Sequence, residues 1–384
     1  MWAVSVSPGT VTAVTTPVLG IVGGGHLRRR LVEAATRLGV QTRVFDTPDM
    51  VESGRGAGVD VLTVVTDDID PAVMLDWERS GLLVRPGPST MAIVTDRVAM
   101  RRLVSSTGVP VTPWRQVTNE TELRAALTTW PTTVIKTARA GRYRTGVEMP
   151  ATPLEGLRSG MASLRDHAQL LVEPFLDLTM ELSVAVVRRP TGDTDVYAPV
   201  RTVQLFGRCR EVVAPAGIDP ETAERVAEIA RTLAERLQVV GLLVVEVFVT
   251  GGEVMVNEVV ARPHHAAAHA DVAFQTSQFE NHVRGVLDFP LGSCAPIDTI
   301  AVSVNVVGNA AGNDPRHHVA DALAVDPTAK VELRGEPHRF DRILGQVTVT
   351  GAEESDARRR AWQTVIALRG DLTPIRPVVG GGRS

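Results

Sequence analysis

Hydrophobic runs and helical patterns alternate through the first 90 residues. Val18–Gly23, Gln41–Phe45 and Asp60–Val65 have the composition of short strands. Helical patterns follow the first and third of them, at His26–Leu38 and near Pro71–Ser80. Alternating strands and helices are typical of a parallel sheet with right-handed crossovers. We therefore expect an α/β domain at the N-terminus.

The middle of the chain mixes strand pairs with longer helices. Thr133–Thr137 and Leu170–Phe175 are predicted strands, and Glu181–Arg188 is predicted to begin a hairpin. Asp219–Leu237 is a long amphipathic pattern with Asp at the N-cap and Pro at the first helical position. We expect α+β structure here. Later patterns predict a helix at Gln275–Leu287, strands at Thr299–Val306, Val331–Arg334 and Arg342–Thr350, and a helix at Glu354–Arg369.

The stretch around which the rest is organised is a predicted hairpin at Gly241–Pro263. Its two β-rich runs are mostly apolar, but Glu246 and Glu258 interrupt them, with Asn257 beside the second. Burying carboxylates among apolar neighbours is costly unless a positive charge meets them. Mg²⁺ would do so, since it is commonly held by one or two carboxylates together with phosphate oxygens. The alternative is a hairpin with two ordinary surface carboxylates.

The length of the turn decides whether these carboxylates share a face of the hairpin. A two-residue Gly251-Gly252 loop would pair Glu246 with Asn257 and send Glu258 to the other face. A three-residue loop, Thr250 to Gly252, would put both carboxylates together. The metal-site hypothesis therefore predicts the three-residue loop.

A second set of residues suits a nucleotide. Lys136, at the end of a predicted strand, can neutralise phosphate, and the basic glycine loop Ala138–Gly146 after it is expected to be a mobile lid. Glu173 and its neighbours can offer backbone groups to an adenine, and Glu181 can accept ribose hydroxyls. Arg262 can stabilise a transferring phosphoryl group. A Walker A loop and a kinase catalytic set are absent from the sequence.

Composition adds little positive information but argues against two kinds of partner. The 384 residues are long enough for two or three domains, and their net charge of −4 gives no reason to expect nucleic acid. No apolar run reaches the ~18 residues of a membrane span. Cys209 and Cys294 lack metal-ligand spacing, and the N-terminus lacks a signal-peptide pattern. We expect a cytoplasmic protein that acts on small molecules.

Two further segments leave alternatives open. The turn at Gly23–Gly25 is either a tight strand-to-helix turn or a cradle for a phosphate or carboxylate. The loop histidines His264, His265 and His269 could bind a metal, contact substrate, or be neutral loop residues.

These residues resemble the ATP-grasp superfamily and, within it, the 5-(carboxyamino)imidazole ribonucleotide synthase family. The similarity runs from about Val18 to Leu368. It is carried by LGIVGGGHLRRRLVEAATRLG, TDRVAMRRLVSSTGVP, VIKTARAG, LLVEPF with ELSV, and VGLLVVEVFVTGGEVMVNEVVARPHH. The segment TSQFENHVRGVLDFPLG is similar to that one family more than to ATP-grasp enzymes in general.

The resemblance implies a three-domain ATP-grasp fold. Residues 1–90 would form a Rossmann-like domain, 91–308 the ATP-grasp domain with a lid lobe at about 113–175, and 309–384 a small C-terminal domain. It also implies ATP, one or two Mg²⁺ ions, a homodimer, and an acyl or carboxy phosphate captured by an amine. The residues that match the family's ATP half are Arg97, Lys136, Glu173, Glu181 and Asn257 for ATP, Glu246 and Glu258 for metal, and Lys136 and Arg262 for catalysis.

The substrate half of the pattern departs from the family. The expected substrate contacts are Gly24, Gly25, His26, Arg142, Tyr143, His264, His265 and Arg342. Among them His26 stands for Gln, Arg142 for Tyr, Tyr143 for Asp and His265 for Asn. Glu336 and Ile343 stand where the family has basic residues that meet a ribose phosphate.

Because charge-assisted phosphate contacts are strong, losing two of them favours a change of substrate. We therefore predict an ATP-dependent carbon–nitrogen ligase that joins a carboxylate or bicarbonate to an amine and has an altered substrate. The alternatives are the ribonucleotide synthase itself and a nucleotide-binding protein without turnover.

Overall fold

The structure is a computed structural model of the 384-residue chain. It describes residues 16–48, 51, 58–139, 147–149, 152–205, 208–264, 267–335 and 338–370. The mixed α/β architecture is as predicted, and three sheets organise it. No helix in these ranges is long and apolar enough to cross a membrane.

The N-terminal part is a three-stranded parallel sheet in the order β2-β1-β3. Its elements are β1 (Val18–Val22), α1 (Gly25–Arg37), β2 (Gln41–Phe45), β3 (Val61–Val64) and α2 (Pro71–Arg79). Each agrees with its predicted counterpart to within about one residue at either end, because the apolar runs and helix-capping residues are clear here. After α2, Val84 forms an isolated parallel bridge with Leu62 of β3.

The segment predicted as the lid lobe contains a four-stranded antiparallel sheet in the order β4-β7-β5-β6, covered by two helices. Two helices precede this sheet in the chain, α3 (Pro88–Val94) and α4 (Arg97–Ser106). The sheet and its covering helices are β4 (Arg115–Val117), α5 (Glu120–Thr129), β5 (Thr133–Thr137), β6 (Val147–Glu148), α6 (Pro153–Asp166) and β7 (Leu170–Pro174). The predicted mobile lid, Ala138–Gly146, lies almost wholly outside the described residues.

The third sheet has nine strands in the order β13-β12-β8-β10-β11-β14-β16-β15, with β9 on the side of β8. The strands are β8 (Met180–Arg188), β9 (Thr194–Val196), β10 (Val200–Leu205), β11 (Arg208–Ala214), β12 (Gly241–Thr250), β13 (Glu253–Val260), β14 (Ile300–Val307), β15 (Lys330–Leu333) and β16 (Ile343–Gly351). The remaining α-helices are α7 (Pro220–Leu237), α8 (Ala270–Ala273), α9 (Gln278–Val286), α10 (Val319–Val325) and α11 (Glu354–Leu368).

One face of the central sheet is closed by α7. Asp219 caps this helix by accepting a hydrogen bond from the Thr222 amide, as its position before Pro220 predicts. The apolar stripe of α7 packs on alternate residues of β8 and β12, such as Leu182 and Val245. The other residues of those strands therefore point to the opposite face, where the polar side chains of the site lie.

The central sheet continues past residue 308 through β14 into β16 and β15. The division into domains at residues 90 and 308 stays a prediction. The segment at 276–292 contains α9 and has a structural role. His282 is fully buried: its Nε2 lies 2.9 Å from Thr63 Oγ1 on β3, and its Nδ1 accepts the Leu242 amide of β12 at 3.1 Å. It thereby fixes the N-terminal sheet against the central one.

Candidate active site

The hairpin turn between β12 and β13 contains two residues, so the prediction of a three-residue turn is wrong. Thr250 pairs with Glu253, and Gly251 and Gly252 between them have φ of 54° and 82°. Two successive positive φ angles belong to the tight turn whose twist matches the flanking strands, and glycine adopts them without strain.

The two predicted metal ligands nevertheless lie opposite each other. Val247 pairs with Val256, but Glu246 pairs with Glu258, so the ladder shifts by one residue between them. Asn257 is the extra residue of this β-bulge. The shared face that we attributed to the turn is therefore produced by the bulge, four pairs further along the hairpin.

A third carboxylate and a histidine join this pair. Ser183 lies opposite Glu246 on β8, so Glu181, two residues earlier, points to the same face. Burial and the charge of Glu246 raise the pKa of Glu181 to about 7, against a hydrogen bond from Gln204 and the charge of Lys136. The histidine is His264, whose Nε2 lies 3.2 Å from Glu246 Oε1.

This donor set fits Mg²⁺. Carboxylate and amide oxygens are hard ligands, and Mg²⁺ is usually held by one or two carboxylates while phosphates and water complete its shell. In the described ranges, no group of three or more histidine, cysteine, aspartate or glutamate side chains is arranged to hold a metal ion. Burial and then the Glu246 charge raise the pKa of Glu181, and a cation bound here would oppose both effects by favouring the ionised carboxylate.

Lys136 lies beside the bulge and is anchored by two groups. Its Nζ is 2.6 Å from Glu173 Oε2 and donates to Asn257 Oδ1 at 3.1 Å. Glu173 is only 2% exposed. Burial would raise the pKa of Glu173, but Lys136 and Arg101 outweigh it and hold the pKa below its ordinary value. The Glu173 side chain is therefore an ionised anchor for Lys136, and the predicted contact of the backbone here with an adenine stays a prediction.

Arg262 is also anchored by a carboxylate. Its guanidinium is 2% exposed and makes a two-pronged ion pair with Asp67, in which Nε donates to Oδ1 at 2.9 Å and Nη2 to Oδ2. Nη1 donates to the Pro263 carbonyl at 3.1 Å. Asp67 follows β3, so this pair joins the end of the hairpin to the N-terminal sheet and fixes the direction of the guanidinium. The catalytic role of Arg262 stays a prediction.

Comparison with known proteins identifies the family. The ATP-grasp domain model matches residues 102–279. The N5-carboxyaminoimidazole ribonucleotide synthase of Mycobacterium tuberculosis is 32% identical over 378 residues, which cover 91% of this chain and 87% of that protein. That of Synechococcus elongatus is 31% identical and covers 91% of this chain and 93% of its own. The synthetase structure from Thermus thermophilus superposes with a TM-score of 0.78 at 26% identity, covering 92% and 99% of the two chains.

The chain belongs to the N5-carboxyaminoimidazole ribonucleotide synthase family. The predicted resemblance is thus confirmed, as is the assignment to the ATP-grasp ligases. The chain spans nearly the whole length of these relatives, so the resemblance includes the region after β14 in which the sequence departs from the family's pattern.

The departure at the first glycine turn is accompanied by a cationic environment. Gly24 is the N-cap of α1, and His26 in its first turn is 8% exposed. Burial, with Arg334, Arg29 and Arg262 as the next causes, lowers the pKa of His26 to about 2. His26 is therefore a neutral imidazole at a helix N-terminus with arginines around it, an arrangement that suits an anion.

The other predicted contacts are placed as follows. Arg97 is buried, and its Nη1 donates to the Thr137 carbonyl at 2.8 Å, so it supports the end of β5 just after Lys136. Arg342 lies in the turn before β16, where its carbonyl accepts the Gly308 amide at 2.8 Å. His269 is buried beside Phe274. Arg142, Tyr143 and His265 lie outside the described residues.

Sequence reasoning missed three residues that shape this site: Arg101, Asp67 and Gln204. Arg101 was not singled out, although its position four residues after Arg97 puts both on one face of α4. Asp67 lies just after β3, where the strand pattern ends, and was not singled out. Gln204 belongs to β10, a strand that was not predicted because charged and polar residues interrupt the apolar pattern of Val200–Ala214.

Proposed function

We propose that this chain is an N5-carboxyaminoimidazole ribonucleotide synthase. In this reaction the γ-phosphoryl group of ATP passes to an oxygen of bicarbonate, and ADP leaves. The amine of 5-aminoimidazole ribonucleotide then takes the carboxyl group as phosphate departs. The observation that carries the proposal is the opposed pair Glu246 and Glu258 beside Lys136, in a chain that matches the family over 91% of its length.

The residues of the hairpin and the lid lobe can perform the transfer of the phosphoryl group. The Lys136 ammonium, held by Glu173 and Asn257, is available to the phosphate oxygens of ATP. Mg²⁺, when bound by Glu246 and Glu258, would supply charge neutralisation for those oxygens. Arg262, aligned by Asp67, can stabilise the charge that develops on the transferring group.

The arginines near α1 can bind the phosphate of the ribonucleotide. Glu336 and Ile343 stand at two positions where the family has cations, which is why an altered substrate was predicted. Arg334 lies two residues before Glu336 in the sequence. After burial, its charge is the next cause that lowers the pKa of His26 at the helix N-terminus, and the charge of Arg262 contributes as well. We infer that Arg334 supplies positive charge that is lost at the two later positions.

The enzyme with an altered substrate is the second candidate. It rests on Ile343, an apolar residue at the first position of β16, but the 32% identity to a synthase over 91% of the chain gives the synthase more support. Binding without turnover is disfavoured, since Lys136, Glu246, Glu258 and Arg262 are all present. The homodimer and the cytoplasmic location stay predictions.

A coupled assay of ADP release tests the proposal. Purified enzyme is given Mg·ATP and bicarbonate, with and without 5-aminoimidazole ribonucleotide at micromolar and millimolar concentrations. We expect turnover that saturates at micromolar ribonucleotide. ADP release that is unaffected by the ribonucleotide, or that needs it at millimolar concentration, would contradict the synthase and favour the altered-substrate enzyme.

A further inference from the structure

Arg101 is a fully buried arginine that contacts two separate parts of the site. It lies on α4 and is 1% exposed. Its Nε donates to Glu173 Oε1 at 2.7 Å, and its Nη2 donates to the same oxygen. Its Nη1 donates to the main-chain carbonyl of Asn257 at 2.5 Å. One planar guanidinium therefore reaches both β7 of the lid lobe and β13 of the hairpin.

The carbonyl of Asn257 is significant because it belongs to the bulge. A bulge leaves the extra residue outside the regular ladder, and a buried carbonyl without a hydrogen bond is costly. Arg101 satisfies this carbonyl with a charged donor, which makes a stronger hydrogen bond than a neutral one. The contact therefore stabilises the shifted register, in which Glu258 lies opposite Glu246. Without the shift, Asn257 would take that place and Glu258 would point to the other face.

The second contact acts on Lys136. Glu173 offers one oxygen to Arg101 and the other to Lys136, so the carboxylate is held between two cations. A buried carboxylate with a single cation would be less well compensated. Arg101 thus keeps Glu173 ionised and directed at the Lys136 ammonium.

We propose that Arg101 is a positioning residue that sets the register of the metal-binding carboxylates and the orientation of Lys136 together. The inference rests on the proposed function, since it concerns how the same nucleotide site is assembled. Arg101 itself lies behind Glu173 and Asn257, and it acts through them. The Arg101 side chain thus links the hairpin to the lid lobe through its contacts with both.

Arg101→Lys is the informative variant. Lysine retains the positive charge but has a single ammonium in place of the guanidinium fork, so it cannot reproduce two parallel contacts to Glu173 and a third to Asn257. Arg102→Lys is the matched control, because Arg102 is the next residue of α4, is exposed, and donates to Gln116 at the surface.

The first measurement is metal binding, with Mn²⁺ in place of Mg²⁺ and a non-hydrolysable ATP analogue present. Bound Mn²⁺ is determined by electron paramagnetic resonance, with folding checked by circular dichroism. We expect Arg101→Lys to bind Mn²⁺ about tenfold or more weakly, the usual effect of losing one charge-assisted hydrogen bond. Arg102→Lys should bind it as the wild type does. Equal affinity in all three proteins would overturn the role of Arg101.

A second variant separates the two contacts and serves if Arg101→Lys does not fold. Glu173→Gln keeps the bond from Arg101 to the Asn257 carbonyl but weakens the anchor of Lys136. We expect it to weaken binding of the ATP analogue about tenfold while Mn²⁺ affinity at saturating analogue changes by less than about threefold. Loss of both affinities in equal measure would show that the two contacts do not act separately and would overturn the proposal.

These measurements require no acceptor substrate. An enzyme that binds Mn²⁺ with the ATP analogue but does not turn over 5-aminoimidazole ribonucleotide would contradict the proposed function alone. An active synthase whose Mn²⁺ affinity is the same in the wild type and Arg101→Lys would contradict the role of Arg101 alone.

Discussion

Asp67 and Arg262 form a two-pronged ion pair between the loop after β3 and the end of β13, with the guanidinium buried. Because Asp67 comes from the N-terminal sheet and Arg262 from the central hairpin, the pair fixes the two parts against each other at the proposed site of phosphoryl transfer. It also determines which guanidinium nitrogens can face a substrate.

Replacing Asp67 by Asn should lower both stability and activity. The buried Arg262 charge would lose its counterion, which costs about 3 kcal/mol when such a pair is broken from one side. We expect kcat to fall more than about tenfold with a small change in the KM for ATP, since the lost alignment concerns the transferring group. Urea unfolding and steady-state kinetics measure the two effects, and Asp68→Asn, at the exposed neighbouring position, is the control. Unchanged kcat in a folded Asp67→Asn enzyme would contradict the alignment role.

Glu258→Gln should leave the fold unchanged and remove ATP turnover. The amide keeps the shape of the side chain but withdraws one of the two negative charges that would hold Mg²⁺. We expect ADP release to fall at least about a hundredfold, a loss that extra Mg²⁺ restores only in part. Glu253→Gln, on the exposed end of the same strand, should behave as the wild type. Normal turnover by Glu258→Gln would rule out the metal assignment.

The carboxyl of Glu181 should make the nucleotide-free protein less stable as the pH rises. An unfolded glutamate ionises near 4.5, whereas burial and Glu246 raise the folded pKa to about 7. The protonated Glu181 therefore contributes stability that is fully present below about pH 4.5. This contribution, at most about 3 kcal/mol, is lost as the pH rises from 4.5 to about 7.

Thermal melting of wild type and Glu181→Gln across this pH range tests the effect. The difference in melting temperature between the two proteins should change from about pH 4.5 to about pH 7 and level off above it. Mg·ATP should reduce that change, because a cation favours the ionised carboxylate. Parallel melting curves at every pH would show that Glu181 titrates normally.

Arg334→Gln should weaken binding of the ribonucleotide and leave the nucleotide site intact. The charge of this arginine lowers the pKa of His26 at the N-terminus of α1, where we infer that the ribose phosphate binds. We expect the KM for 5-aminoimidazole ribonucleotide to rise about tenfold or more and the KM for ATP to stay within about twofold. Lys330→Gln, an exposed cation on β15, is the control. A rise in the KM for ATP alone would place Arg334 elsewhere in the mechanism.

The sequence predicts the position of the hairpin and the identity of its carboxylates, because both depend on local patterns. It does not predict their register. That depends on a bulge at Asn257, and the bulge is supported by Arg101 from a helix about 150 residues earlier in the chain. A long-range contact of this kind leaves no periodic signal in the strand itself.

Burial of charged residues limited the prediction elsewhere too. β11 was not predicted because Glu211 looks like a surface residue, whereas it is 4% exposed and accepts hydrogen bonds from Arg358 and Trp362 of α11 at 2.8 Å each. The partners of the Glu173 side chain, Arg101 and Lys136, were not predicted either, since both are distant in sequence. Local patterns identify such residues but not their partners.

The bulge in β13 also bears on how the hairpin could be redesigned. Asn257 is a single inserted residue, and the ladder is regular on both sides of it. Deleting it would leave Glu246 opposite Glu258 and would remove one amide from the side of Lys136. The number of polar groups presented to the nucleotide can therefore be changed through chain length, with every other residue of the hairpin retained.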